Sequence, residues 1–172
     1  MTKREPKTAD ELLDAVGPAF GKLRRSSLLE VADPISEKDL SRTLVLRIVL
    51  DAEQEDTGEV TVGAVAKHLG VDPSVASRMV SDCISAGYLV RAASQQDGRR
   101  TVLHLSPEGR ELMIRFGRHQ RAAYDHITAD WTEHERLELA RLMIKYVASQ
   151  DSLARRAQDK GADEGAGKGA GS

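Results

Sequence analysis

A single cysteine, Cys83, stands among the 172 residues, so no disulfide within the chain can staple its fold. No apolar run is long enough to span a membrane and none follows a basic start, so the expectation is a cytoplasmic protein with no membrane partner. A surplus of one charge is lacking as well: 25 lysines and arginines face 27 aspartates and glutamates, a formal net charge of -2. That balance does not announce a polyanion binder, and any basic surface has to be local. Catalytic signatures are also missing. No nucleophile sits near a base, and no phosphate loop or metal motif appears, so neither an enzyme nor a cofactor or metal is expected. The length suits one domain with a real core and frayed ends.

What is present is a succession of helical patterns. Thr8 followed by Glu11 makes a capping box, and Leu12, Val16, Phe20 and Leu23 then recur at helical spacing, which predicts a first helix from about Ala9 to Val31 after a flexible segment 1–8. Ser36 and Asp39 signal a second start, followed by an apolar run from Leu44 to Leu50 that marks a central helix. Asp51, Glu53, Glu55, Asp56 and Glu59 cluster around Gly58 and read as a solvated loop, since carboxylates alone in a loop rarely make a metal site. At the far end GADEGAGKGAGS has nothing to bury, so 151–172 is expected to be a largely disordered tail.

The informative segment lies between. Thr61 can cap a short helix whose Val62, Val65, Ala66 and Leu69 share one face, and Gly70 can end it in the left-handed conformation. Asp72 then caps a new helix with Pro73 at its first position. Only Gly70 and Val71 separate the two, which is the sequence form of a helix-turn-helix. In the second helix, at about 73–86, Val75, Ala76, Met79, Val80, Cys83 and Ile84 form the apolar stripe, leaving Ser74, Ser77, Arg78, Ser81 and Ser85 on the other side. That face is slim and polar. A helix entering the major groove needs short side chains, hydroxyls and an arginine for bidentate contact to guanine; the bland reading is an ordinary solvated face.

The residues after this helix favour the groove. Tyr88 to Arg91 can form a strand, AASQQDGRR a hairpin tip, and TVLHL the returning strand, a wing over about 89–105 with Arg99 and Arg100 at its returning edge. From Lys67 to Arg110 the basic residues Lys67, Arg78, Arg91, Arg99, Arg100 and Arg110 outnumber Asp72, Asp82, Asp97 and Glu108, a balance opposite in sign to that of the whole chain. Ser106 and Pro107 open a long helix carrying Leu112, Phe116, Ala123 and Ile127. Thr132 and Glu135 cap a last one with Leu137, Ala140, Met143, Ile144 and Val147. These helices are too apolar to stand alone, and a twofold dimer would bury the surplus while presenting two reading helices about one DNA turn apart. The expected architecture is therefore mainly α with a small antiparallel β-wing. A winged helix-turn-helix over 36–105 lies between dimerisation segments at 9–35 and 106–150, with about six helices in all.

VTVGAVAKHLGVDPSVASRMVSDCISAGYLVR, the tip QDGRR, the strand TVLHL and the helix start SPEGRELM closely resemble the MarR family of winged-helix transcriptional regulators. The match is specific from about Val60 to Met113, and the order of helices agrees from Ala9 to Gln150. The resemblance implies a homodimer that binds a pseudo-palindromic DNA operator, represses, and releases DNA when a small anionic or aromatic ligand, an oxidant or a metal binds. It places Ser74, Ser77 and Arg78 on the base-reading part of the recognition helix and makes Arg99 the wing arginine. The sequence departs from the family at the wing, where Ser94 and Gln96 replace charged residues, and at Asp82, where a basic residue is usual and an acid would repel phosphate.

Candidate sensors are weighed separately. Cys83 lies on the apolar stripe with no basic neighbour to make it a thiolate, so it reads as core. His119, His126 and His134, with Asp125 and Asp130, can collect across a dimer into a transition-metal site, but no tight ligand pair supports that reading. Arg24, Arg25 and Arg47 can meet an effector carboxylate in the family's ligand cleft, although exposed ion pairing is the simpler role. The rival from another class is a winged helix used as a protein-protein module, which Asp82 and the acidic loop would suit.

Overall fold

A computed structural model describes the backbone of residues 8–25, 35–55 and 58–166. Eight elements run in the order α1 (Ala9–Arg25), α2 (Glu37–Glu55), α3 (Val62–Leu69), α4 (Pro73–Ser85), β1 (Leu89–Ala93), β2 (Thr101–Leu105), α5 (Pro107–Ile127) and α6 (Glu133–Ala166). The chain divides into two compact units, residues 1–124 and 125–172. Among the described residues no helix is long and apolar enough to cross a membrane.

Local chemistry accounts for the helix-turn-helix. The Thr61 hydroxyl accepts from the Ala64 amide at 3.2 Å and starts α3. Gly70, at φ 63°, then turns the chain out of that helix while its own amide and that of Val71 satisfy the last carbonyls. Asp72 accepts from the Ser74 amide at 2.8 Å to start α4, with Pro73 at the first helical position, where its missing N–H costs nothing. The chain leaves α4 through Gly87 at φ 81°, and the Tyr88 amide still donates to the Cys83 carbonyl at 3.0 Å. Tyr88 therefore belongs to the helix exit, and the first strand of the wing begins at Leu89, one residue later than the sequence predicts. It continues to Ala93, so Ala92 and Ala93, expected in the hairpin tip, pair instead with Val102 and Thr101.

The core of the first unit is drawn from every element of the winged helix. Val45, Leu46 and Val49 from α2 meet Val65 and Ala66 of α3, Ala76, Val80 and Cys83 of α4, Leu89, Leu103 and Leu105 of the wing, and Leu112 and Met113 of α5. α2 packs against α3, α4 and β2, the central place its apolar run implies. The short sheet is antiparallel, with Leu89 opposite Leu105, and the Leu103 amide donates to the Val60 carbonyl at 2.9 Å, which ties the approach to α3 onto the wing.

In the second unit, Thr132 and Glu135 make the reciprocal capping box that opens α6, and Arg136 pairs with Asp125. α6 runs on to Ala166, which corrects the expectation of a disordered tail from residue 151. The stretch SLARRAQ is rich in good helix formers, and extending an existing helix is far easier than nucleating one. The predicted first helix is observed to Arg25, and its expected last turns to Val31 lie outside the described residues.

One glycine fixes how α5 meets the wing. A Cβ at Gly109 would lie 2.2 Å from the Tyr88 carbonyl oxygen and 3.1 Å from a Leu105 methyl. The same carbonyl accepts from the Ser106 amide at 3.1 Å, and the Ser106 hydroxyl donates to the Gly87 carbonyl at 2.6 Å. Backbone cannot recede from both. Gly109→Ala is expected to destabilise the fold by about 1–3 kcal/mol, the usual range for overpacking, and thermal unfolding by circular dichroism should show Tm lowered by several degrees. An unchanged Tm would mean that this approach is softer than its geometry.

Candidate nucleic-acid interface

Helix α4 carries its two chemistries on two faces. Ala76, Val80 and Cys83 are fully buried, whereas Ser74, Ser77, Arg78, Ser81 and Ser85 are exposed. Arg78 forms no ion pair among the described residues, and neither does Arg99 at the wing tip. The exposed face thus offers hydroxyls of short reach around one unengaged guanidinium, the chemistry that reads base edges and phosphates.

The wing is pinned by an acid from outside the hairpin. Glu59, just before α3, accepts from the Ser94 hydroxyl and, at 2.7 Å, from the Gln95 amide. Ser94 is buried, and its oxygen also accepts from the Gln96 and Asp97 amides at 3.1 and 2.9 Å. Asp97 in turn accepts from the Arg99 amide at 3.1 Å. Arg99 and Arg100 are exposed at the end of this hydrogen-bonded turn. The Ser94 hydroxyl, with the amides of Gln95 and Gln96 and the charge of Arg100, holds the Glu59 carboxyl below the usual carboxylate range. Ser94 is therefore the centre of the wing turn rather than a missing charge.

A second cluster ties α4 to α2. The Arg42 guanidinium donates to both Asp82 oxygens, at 2.7 and 3.2 Å, and to Asp39 at 2.9 Å. It also lies over the Tyr88 ring, 5.6 Å from the centroid. Lys38 stands 3.8 Å from Asp82 on the outer side. The hydrogen bond from Arg42 keeps the Asp82 carboxyl low. At Asp39 burial works against ionisation, but hydrogen bonds from Arg42, Ser36 and Tyr88 outweigh it and the net shift is also downward. Asp82, expected to repel phosphate, thus has its charge matched within the protein. Sequence reasoning missed Arg42, Glu59 and Ser94. The Asp39–Arg42 spacing on one helix was the only visible signal, since Asp82 is forty residues further on.

Asp51, Glu53 and Glu55, expected in a solvated loop, lie instead in the last turns of α2, and two of them are engaged. Glu53 pairs with Arg110 at 2.8 Å and accepts from the Leu105 amide at 3.3 Å, while Asp51 pairs with Arg47 at 3.3 Å. Of the three effector candidates, Arg47 is exposed in that ion pair, and the side chains of Arg24 and Arg25 lie outside the described residues. His119 is buried, and His126 and His134 are exposed; no group of three potential ligands able to hold a metal is found among the described residues. Burial pushes the Cys83 thiol up to about 11, with the neighbouring Asp82 charge acting in the same direction.

Residues 39–100 match the model of the MarR family. No curated protein matches the chain. Among solved structures, RV1404 from Mycobacterium tuberculosis is 24% identical, with a TM-score of 0.58 over 84% of this chain and 95% of that one. YusO from Bacillus subtilis is 20% identical, with a TM-score of 0.56 over 83% and 99% of the two chains. MarR itself is 18% identical, with a TM-score of 0.55 over 92% and 99%. The shared fold is the winged helix with six helices and a two-stranded antiparallel sheet.

Two outcomes test this geometry. Glu59→Gln is expected to speed amide exchange at Gln95, Gln96 and Asp97 while leaving Leu103 protected. Because the Glu59 carboxyl is depressed in the folded state, its contribution is complete above the unfolded value of about 4.3 and drains away as pH falls below it, so acid should loosen the wild-type wing in the same way. Cys83, with so little thiolate, should react with iodoacetamide at pH 8 at least about a hundredfold more slowly in the folded protein than in urea, as read by mass spectrometry. Equal rates would restore it as a redox candidate.

Proposed function

We propose that this chain, whose residues 39–100 match the model of the MarR family, is a sequence-specific DNA-binding transcriptional regulator of that family that acts as a homodimer on a pseudo-palindromic operator. The observation that carries the proposal is the outer face of α4, where Arg78, without an ion pair among the described residues, stands among Ser74, Ser77 and Ser81. In this reading those residues enter the major groove, and Arg99 and Arg100 of the wing contact backbone phosphate or the minor groove.

A homodimer is supported by apolar faces that a lone soluble chain does not keep. On α1, Leu12, Leu13, Val16, Phe20 and Leu23 are exposed; on α6, Leu137 and Ile144 keep 64% and 71% of their surface, with Met143 and Val147 beside them. Repression, and release of DNA by a small anionic or aromatic ligand, belong to the same proposal, with Arg24, Arg25 and Arg47 as the cationic candidates. Such a ligand acts only through a difference in affinity between the DNA-competent and incompetent arrangements of the dimer. The rival protein-binding module loses its support, because Asp82, Glu53 and Glu59 are occupied within the fold.

Selection from a random duplex pool at near-physiological salt tests the reading. A twofold site with half-sites about 10 base pairs apart is expected. Arg99→Ala with Arg100→Ala should weaken binding to all duplexes alike and flatten the salt dependence by about one unit of slope for each phosphate no longer neutralised. No enrichment from a dimeric sample would overturn operator recognition, and an unchanged salt slope would remove the wing from the interface.

A further inference from the structure

Asp82 is the only acid on α4, and it is placed on the half of the helix that faces α2 rather than on the serine face. Its partner Arg42 is 13% exposed and is held from three directions: by Asp39 on its own helix, by Asp82 on α4, and by the ring of Tyr88 at the point where the chain leaves α4. The fork of a guanidinium fixes direction as well as distance when both of its edges are engaged. Apolar packing of Val45 and Leu46 against Val80 and Cys83 resists separation of the helices, but it is non-directional and tolerates a small roll of one helix on the other. A charged fork gripping Asp82 and Tyr88 opposes that roll.

We infer that Arg42 is a positioning residue for base recognition: through Asp82 and Tyr88 it sets the rotation of α4, and so the direction in which Ser77 and Arg78 project. The inference rests on the proposed operator recognition and assigns Arg42 no contact with DNA. Lys38 and Arg42 with Asp39 and Asp82 sum to no net charge, so the cluster adds no phosphate attraction of its own. A misdirected α4 loses bidentate base contacts, which depend on angle, and keeps its phosphate contacts, which depend on charge.

The test compares Asp82→Asn, Arg42→Lys and the double variant with the wild type on a selected site and on a scrambled duplex of equal length. Asp82→Asn keeps the size and one acceptor, and Arg42→Lys keeps the charge while removing the fork. Each single variant is expected to lose about tenfold in preference for the selected site, with scrambled-duplex affinity and salt slope unchanged, and the double variant to be no worse than either single one. Asp82→Asn binding both duplexes more tightly with a steeper salt slope would overturn the inference in favour of direct phosphate repulsion, as would unchanged preference or additive losses. Amide exchange on free protein separates this from failure of operator recognition. Faster exchange from Ser81 to Ser85 in Asp82→Asn, with Leu112 unaltered, supports the clasp even if the wild type selects no site; unaltered exchange in α4 overturns it.

Discussion

The grip of Arg42 on Asp82 is the constraint on which the exposed face of α4 depends. A helix proposed to read DNA with one face has to be held by its back alone, since any tie on its front would occupy the residues that read. α4 meets this with one buried stripe, Ala76, Val80 and Cys83, and one flanking charge, Asp82. The stripe gives α4 its depth in the fold and the charge gives it direction, because only the second interaction is directional. Asp39 and Tyr88 then keep the guanidinium from leaving, so the tie is not the loose surface pair that contributes little.

The wing repeats the arrangement with different chemistry. Its strands are five residues each, too short to hold a long tip by pairing alone. Glu59 reaches in from the approach to α3, and the buried Ser94 hydroxyl passes that hold on to the Gln96 and Asp97 amides. Arg99 and Arg100 are thus carried on a turn whose hydrogen bonds are satisfied behind them. In both places a side chain distant in sequence, Arg42 for α4 and Glu59 for the wing, holds a segment whose arginines face outward.

The helix-turn-helix was legible because its instructions are local: Thr61, Gly70, Asp72 and Pro73 act on amides within a few residues of themselves. The serine face of α4 was legible by periodicity for the same reason. The supports were not. Arg42 to Asp82 and Glu59 to Ser94 join residues that no spacing rule connects, so Asp82 read as a repulsive intruder and Glu59 as part of a solvated loop. Boundaries slipped where two elements share a residue, as at Tyr88, whose amide completes α4 before the strand begins. The extent of α6 was hidden because glycine-rich composition argues against starting a helix and says less about extending one.

Net charge illustrates the same division between composition and placement. A chain at -2 makes a poor candidate for binding a polyanion if its charges are simply added. Five acids of the winged helix, however, are engaged internally: Asp51 by Arg47, Glu53 by Arg110, Glu59 by the wing turn, Asp72 by the start of α4 and Asp82 by Arg42. Among the described residues Arg78 and Arg99 are left without an acid of their own. An acid that binds a backbone amide instead of a cation, as Asp72 does, stabilises the fold without neutralising an arginine. The local field at an α4-and-wing surface is set by which charges remain unmatched there, and the total over the chain says little about it.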